Sequence, residues 1–586
     1  MANLIESNGD LEQLSGNETF KARSGGLYGP VSDDLAQPTD SFSEESIQIL
    51  KHHGTYQQDN RDLRKDRKKQ GLDKLYTMML RTKFPGGKLS AEQYLLCDAL
   101  CDKYGQGDIR ATSRQDFQFH GVVKGSLRPL IHDLNLLGQM TTIGGCGDIV
   151  RNTMGNPVAD IDRSYKDCGE DLMALTFAIN VATLPTTASY YDLWLNDEKA
   201  TVQPDGTVTF GAALREERED PLYGKTYLPR KFKIGVAADF DNASDLYIQD
   251  VGVMAVTENG RIVGYEILAG GGLGFSHAQA KTYPRAATPL AFVQHDDVVP
   301  IVLAIVAVQR DYGDRTDRKQ ARLKYTIDRM GQDAFREKVY EYAGRAFEMP
   351  RGVKPYAQPD YLGWHKQIQP GLNYVGVWVE NGRIKDFAGS YRFKSGLRAV
   401  IEKFKPGVRV TPHHNIVLSD IRDEDVEAVQ AYLNEYNLPT DQGITTIRRM
   451  EMACPALPLC PLAQSESERC FPEVMEGLEK AGHGDANVII RMTGCPNGCA
   501  RSSSCEIGLI GKGPERYMLL TGGDYNGSRF NEVLIETIKF QDVVPTIAQL
   551  LDLWKEQRAE GEGFGDWSHR TGIPKLRELL QLAPAK

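Results

Sequence analysis

Two cysteine pairs, Cys454 with Cys460 and Cys495 with Cys499, make up four of the ten cysteines in this chain of 586 residues. They bracket a stretch that reads CPALPLC, a segment of helical period, the strand-like NVIIRM, and TGCPNGC. Pro455, Pro458, Pro461 and Pro496 restrict the backbone around them, and Gly494 and Gly498 allow tight turns. Loops of this build can aim several thiolates at one point, and four thiolates are the usual ligand set of a 4Fe-4S cluster. A structural zinc site is the competing reading, although zinc loops usually space their cysteines by two to four residues, closer than Cys454 and Cys460. Inert cysteines are a third reading. A disulfide is a weaker rival, since the N-terminal MANLIESNGDLEQLSG has no secretory pattern and cytosolic disulfides are rare.

Basic residues form the second candidate set. Arg81 lies in MMLRTKFPGG, Arg151 in CGDIVRN, and Lys231 and Lys233 in YLPRKFKIG; a fourth group, including Arg322, lies in QRDYGDRTDRKQARLKYTIDRMG. Arginine forks suit carboxylates, and lysine supplies a compact charge and a proton. A single basic residue is more often surface than site. In GDIRATSRQDFQFHGV the polar residues Arg110, Thr112, Arg114, Gln118 and His120 fall mostly at even spacing, which puts them on one face of an extended chain.

Both sets need regular elements to hold them, and the sequence repeats those elements. LYTMMLRTKFPGGKLS predicts a strand ending in a Gly-Gly turn. AEQYLLCDALCDKYG predicts a helix with Tyr94, Cys97, Leu100 and Cys101 on one face, so Cys97 and Cys101 read as apolar packing rather than ligands. Two strands around a turn follow. NYVGVWVENGRI, SGLRAVIEKF and VRVTPHHNIVLSDI repeat that order, which indicates an internal duplication. RKFKIGV with DVGVMAVTENGRIVGYEILAGGGLG parallels NVIIRMTGC with EIGLIGKGPERYMLLTGG at lower identity. VPTIAQLLDLWKEQR predicts an amphipathic helix, and EGEGFGDWSHRTG a turn-rich tail. The first 48 or so residues, polar and aperiodic, read as an extended arm over the surface, and Lys65 to Lys69 as a solvated surface run.

Composition is that of a globular protein, 41% hydrophobic and 25% charged. A net charge of −10 argues against general nucleic-acid binding. The longest apolar run, Val298 to Val308, is too short to span a bilayer, so a cytoplasmic protein is expected. Gly270 to Gly272 read equally as a turn or as a close backbone approach to a cofactor. They lack the strand–GxGxxG–helix context of a dinucleotide site, and electrons for any redox chemistry must come from another protein.

The motifs MACPALPLCPLA and RMTGCPNGCAR, with HGTYQQDNRD upstream, closely resemble the assimilatory sulfite reductase hemoproteins of the siroheme/4Fe-4S sulfite and nitrite reductase family. The resemblance runs from about His52 to the end. It implies a mixed α+β fold, duplicated about a pseudo-two-fold axis, with ferredoxin-like half-domains and two siroheme–cluster domains. The expected division is an extension over 1–50, half-domains over 51–135 and 351–440, and repeat domains over 136–350 and 441–586. It also implies that Cys454, Cys460, Cys495 and Cys499 hold the cluster, with Cys499 bridging to the siroheme iron. Arg81, Arg151, Lys231 and Lys233 match the positions that bind the substrate anion. Arg110, Arg114 and Gln118 match siroheme contacts, as does Asn497 in the cluster loop; Arg322 stands where some members have lysine. The implied activity is six-electron reduction of sulfite to hydrogen sulfide for cysteine biosynthesis, with electrons from an NADPH-dependent flavoprotein subunit or ferredoxin. Ammonia-forming nitrite reductases share the cysteine spacing but usually differ within the first loop, where this chain has Pro-Ala-Leu-Pro-Leu. An iron–sulfur electron carrier is the non-enzymatic alternative, and it needs no oxyanion pocket.

Overall fold

In the computed structural model, which describes residues 13–195, 200–202, 208–210 and 219–582, the two repeated units each build a five-stranded sheet and each lends the other a strand. The first sheet runs Thr55–Asp59, Tyr76–Arg81, Phe117–Val122, Ile109–Ala111 and then Arg383–Ile384 from the second unit. The second runs Gly363–Lys366, Leu372–Val377, Ile416–Arg422, Gly407–Val410 and then Lys88–Leu89 from the first. A left-handed glycine precedes each borrowed strand, Gly87 at φ +75° and Gly382 at φ +74°. A Cβ there would lie 2.2 Å from the Val410 carbonyl oxygen and 2.4 Å from that of Ala111. Only glycine lets the two backbones close at these points.

A charged clamp repeats with the exchange. Arg110 and Arg383 face each other in register and share Glu468, at 3.2 Å and 2.7 Å. Arg409 and Lys88 face each other likewise and share Asp160, at 2.6 Å and 2.7 Å. The helices Ala91–Tyr104 and Phe393–Phe404 pack together behind the sheets. Arg398 donates to Asp102 across that contact at 2.8 Å. Ser90 caps the first helix in a reciprocal box with Gln93, at 3.2 and 3.0 Å, an arrangement worth about 1 kcal/mol. Cys97 and Cys101 are fully buried on it.

The weaker sequence repeat is also a structural one. Ile234–Ala238 runs parallel to Val251–Glu258, which pairs antiparallel with Arg261–Ala269, which in turn pairs with Thr288–Val293. Ile490–Thr493, Ile507–Gly513, Arg516–Thr521 and Glu532–Lys539 repeat those directions. Ile234 sits opposite Val251 and Ile490 opposite Ile507, each seventeen positions on. Each sheet is followed by an 18-residue helix, His295–Tyr312 and Phe540–Gln557, with proline at its sixth position. Among the described residues no helix is long and apolar enough to cross a membrane.

Two segments differ from their sequence reading. The N-terminal arm is helical over Gly16–Arg23, Val31–Ala36 and Glu44–Leu50, and Leu27, Val31 and Ile49 are fully buried. Lys21 reaches inward to Glu18 and to the Leu228 carbonyl, both at 2.7 Å. Helices of eight, six and seven residues are too short to display a period. The turn-rich tail contains the helix Phe564–Thr571, anchored by fully buried Phe564 and Trp567, and the helix Ile573–Leu579 follows it.

Glu468 is the most exposed to test of these ties. Glu468→Ala leaves Arg110 and Arg383 without their shared carboxylate, and removing one partner of a buried ion pair costs about 3–5 kcal/mol. A urea denaturation curve should shift by that order, with Glu468→Gln between the variant and the parent. A curve unchanged by Glu468→Ala would show that the clamp does not hold the exchange.

Candidate active site

The first sheet presents a polar row across its strands. Arg81 stands opposite Gln118, Gln118 opposite Arg110, and Arg110 opposite Arg383. Directly opposed residues share a face. The matching row of the second sheet reads Gly376, Val417, Arg409, Lys88, so only one of the two sheets is equipped at this place. Arg114 does not join the row. Thr112 and Asp116 close a turn at 3.0 Å, with Gln115 at φ +59°, and the turn takes Arg114 off the strand while leaving it near Arg81 and Arg151. Its guanidinium donates to Gln249 at 2.9 Å, to the Ile234 carbonyl at 3.2 Å and to that of Asn152.

The remaining cations come from the first repeat domain. Arg151 donates its backbone N–H to the Phe232 carbonyl at 2.8 Å. That contact lays Arg151 beside Lys231 and Lys233, which flank Phe232. The guanidiniums of Arg81 and Arg151 both reach the Gly145 carbonyl, at 3.4 and 3.5 Å. Asp250 accepts the Lys233 backbone N–H at 2.9 Å and two bonds from Arg322, at 2.8 and 3.1 Å. Burial, then Arg322 and Arg230, lower the Lys231 ammonium to about 7. Burial, Lys231, Arg114 and Arg322 hold Lys233 well below its ordinary range. Five of the nine expected basic and amide residues, Arg81, Arg114, Arg151, Lys231 and Lys233, thus meet in one crevice, with Arg322 behind them and Gln118 beside Arg81. Arg110 is already engaged, by Glu468 and by the Ala453 carbonyl at 2.7 Å, and ties the sheet to the cysteine strand.

The four cysteines are free and come to the same crevice from the other side. Met452–Ala453 lies parallel to Ile490–Thr493, which brings the two loops together. The Cys454 thiol accepts from Gly494 N–H at 3.3 Å, and Ser113 Oγ donates to the Cys499 carbonyl at 3.0 Å. Cys454 and Cys495 are buried, Cys460 is half-buried and Cys499 is exposed. Asn497 backs the Cys495 thiol, and its loop docks on Gly274–Phe275, with Phe275 N–H on the Pro496 carbonyl at 3.1 Å. Burial pushes the Cys454 thiol up, and Cys499 and Cys495 push it further. Burial and Cys499 raise Cys495 to about 12. Crowded thiols such as Cys454 and Cys495 ionise together only around positive charge, which a metal centre supplies. Among the described residues no three His, Cys, Asp or Glu side chains are drawn together as a single-ion site. Cys499 is close enough to act electrostatically on Arg81, Lys231 and Lys233.

Known proteins resemble this chain over nearly its whole length. The family profile described as nitrite/sulfite reductase ferredoxin-like half domain matches residues 70–137 and 365–436, one in each strand-exchanged sheet. That for the nitrite and sulphite reductase 4Fe-4S domain matches 176–347. The sulfite reductase NADPH hemoprotein beta-component of Staphylococcus carnosus (strain TM300) is 36% identical over 579 residues, 96% of each chain. This chain belongs to the nitrite and sulfite reductase family. Within that family the same-named component of Shewanella sediminis (strain HAW-EB3) is 39% identical over 96% of this chain and 97% of its own. The ferredoxin sulfite reductase of Synechococcus elongatus (strain ATCC 33912 / PCC 7942 / FACHB-805) is 39% identical over 97% and 91%. In fold, the NirA protein of Mycobacterium tuberculosis matches at TM-score 0.72 and 23% identity, covering 98% of this chain and 96% of that one.

The cofactors of the family are siroheme and a 4Fe-4S cluster, and the crevice fits them. Lys83 Nζ, Arg81 Nε, Arg114 Nε and Gln118 Oε1 are buried without a hydrogen-bond partner among the described residues. A tetrapyrrole edged with carboxylates would satisfy the three nitrogen donors. Lys83, Asp116, Asp250, Glu468 and Ser113 escaped the sequence reading. Asp250 and Glu468 act by placing other groups, and no spacing marks such a role. Lys83, two positions after Arg81, could have been read as its neighbour.

The purified protein should carry about five irons per chain, four of them with acid-labile sulfide. In Cys454→Ser both should fall together in iron and sulfide assays. A zinc-loaded, colourless protein would overturn the assignment.

Proposed function

We propose that this chain is a cytoplasmic sulfite reductase hemoprotein, reducing sulfite to hydrogen sulfide with electrons from a separate donor protein. The observation that carries the reading is the convergence of Arg81, Arg151, Lys231 and Lys233 beside the exposed Cys499 thiol. An electron carrier has no use for such a pocket. A multi-electron reduction of an oxyanion needs it.

Siroheme and a 4Fe-4S cluster, the cluster held by Cys454, Cys460, Cys495 and Cys499, would supply the electron transfer that side chains cannot. The protein supplies binding, charge and protons. Arg81 and Arg151, oriented by the Gly145 and Gly147 carbonyls, hold the sulfite dianion. Reduction of SO₃²⁻ to H₂S consumes six electrons and eight protons and releases three waters. Each lost oxygen leaves as water only if it is protonated, and negative charge builds on it as its bond weakens. Cations fixed at that place stabilise the charge where it forms. Lys231 is the best-suited proton source, because a donor poised near ambient pH both holds and releases its proton. Lys233, crowded further from its charged form, is the neighbour through which Lys231 is recharged.

The pH dependence has a definite sign. Lys231 is the acid, so it must be protonated, and its charge is lost as pH rises through about 7. Sulfite turnover should therefore decline on the alkaline side. In Lys231→Met turnover should drop by about 10²-fold and that alkaline limb should disappear, with siroheme absorption unchanged. A variant that keeps both the rate and the limb removes Lys231 from the proton path. Turnover of nitrite on the same preparations distinguishes the two anions.

A further inference from the structure

The half of the protein without the cysteine loops has a crevice of its own. A cavity of about 680 Å³ lies there between the strand Leu372–Val377, the segment 356–362 and the turn after Ile234–Ala238. Its lining stands in the places of the catalytic crevice. Met154 bridges to Gly235 as Met452 pairs with Arg491, so Arg449 corresponds to Arg151. Gly54 and Gly363, left-handed at φ +85° and +86°, stand at the start of equivalent strands, so His365 corresponds to Tyr56. The register of the two inner sheets makes Phe240 and Asp241 the counterparts of Pro496 and Asn497.

The charge, however, is reversed. Asn487 and Ile489 stand where Lys231 and Lys233 do, and Arg449 is committed to Asp360 at 2.6 and 3.2 Å. Among the described residues that line the cavity, Arg449 is the one arginine or lysine, against the carboxylates of Asp162, Asp241 and Asp360. Asp241 is buried. It accepts from the Tyr361 hydroxyl at 2.6 Å, from that of Tyr165, and from Ala243 N–H at 3.0 Å. Tyr374 donates to Asp162 at 2.6 Å. Donors of this kind favour the charged form of a buried carboxylate, against the burial that raises Asp241 to about 6. The walls are aromatic. Tyr165 and Phe240 lie with ring centres 4.7 Å apart, His365 stacks on Tyr374 at 4.6 Å, and Tyr356, 66% exposed, borders the opening.

We propose that this cavity is a second ligand site, separate from the oxyanion crevice, and that it takes a planar organic cation, an aromatic ring system with a positively charged nitrogen. Three observations support it. Tyrosine rings attract a cation to their faces, and a phenol that donates to a carboxylate has a more electron-rich ring. Two carboxylates in excess of Arg449 leave the cavity negative, so it draws cations and refuses the anions that its counterpart holds. The volume lies within the range of about 300–1,000 Å³ usual for small-molecule sites, room for a few fused rings among the aromatic walls. Neither the cluster nor sulfite is needed for this binding.

Isothermal titration calorimetry on the holoenzyme tests it with N-methylacridinium, a planar cation, and acridine, its uncharged analogue at mildly alkaline pH, where Asp241 is ionised. The cation should bind once per chain with a Kd in the micromolar range, and acridine about tenfold more weakly. Asp241→Asn should weaken the cation about tenfold, to the level of acridine. Tyr356→Ala, a change at the surface, should weaken both probes. Siroheme absorption and sulfite turnover should match wild type in both variants, which separates this cavity from the catalytic crevice. No binding of the cation, or equal affinity for the two probes in the wild type, overturns the proposal. So does an Asp241→Asn variant that keeps the wild-type affinity. If that variant loses its cofactor bands, and with them its fold, Tyr356→Ala decides, and an unchanged Kd there overturns the proposal. A wild type that binds the cation but does not reduce sulfite brings down the functional reading and leaves this site standing.

Discussion

Positive charge that the protein itself leaves uncompensated is the constraint on which the rest of the structure depends. Arg81, Arg114, Arg151, Lys231, Lys233 and Arg322 crowd one crevice, where Asp116 and Asp250 are the carboxylates that answer them. Like charges at this density drift apart unless each is held from behind. They are held by backbone carbonyls and by rigid strands from separate parts of the chain: Gly145 and Gly147 for Arg151, Asn152 and Ile234 for Arg114, Asp250 for Arg322. The balance of charge must arrive with anions, and the carboxylates of a tetrapyrrole and the dianion of the substrate are of that kind. The fold is arranged to keep the cations in place until they do.

Much of this was legible in the chain. The cysteine loops, the helix bearing Cys97 and Cys101, and the doubled order of strands all carry local signals: proline and glycine punctuation, helical period, repeated motif. What was not legible is what depends on partners distant in sequence. The exchange of Lys88–Leu89 for Arg383–Ile384 leaves no period, because a two-residue strand has none. Arg114 was grouped with Arg110 and Gln118 by even spacing, but a tight turn at Gln115 breaks the alternation, and Arg114 joins the cations from the turn, held by the Asn152 and Ile234 carbonyls, rather than along the strand. The N-terminal arm looked extended because its helices are short and its buried groups include Glu18 and Lys21, charges that pair only in the folded protein.

Duplication supplied the scaffold, and loss of symmetry supplied the chemistry. With the two inner sheets in register, Asp239 takes the place of Cys495 and Ala243 that of Cys499. In the outer pair Gly376 and Val417 stand where Arg81 and Gln118 do. At Gly376 no side chain is possible, since a Cβ would lie 1.9 Å from the Tyr361 carbonyl oxygen. What both halves keep is the clamp at the exchanged strands, Glu468 in one and Asp160 in the other. The retained features join the halves, and the divergent ones make a single centre between them.

The borrowed strands also set an order on biosynthesis. The first sheet wants Arg383–Ile384 to complete its edge, yet that strand lies some 260 residues after Val122, the last residue of its own contribution. While the chain is still emerging from the ribosome the sheet must wait with an unpaired edge, and such an edge is where chains aggregate or pair with the wrong neighbour. The first unit cannot mature as an independent module. A gene encoding this protein therefore cannot be divided between the two halves without each product carrying away a strand that belongs to the other.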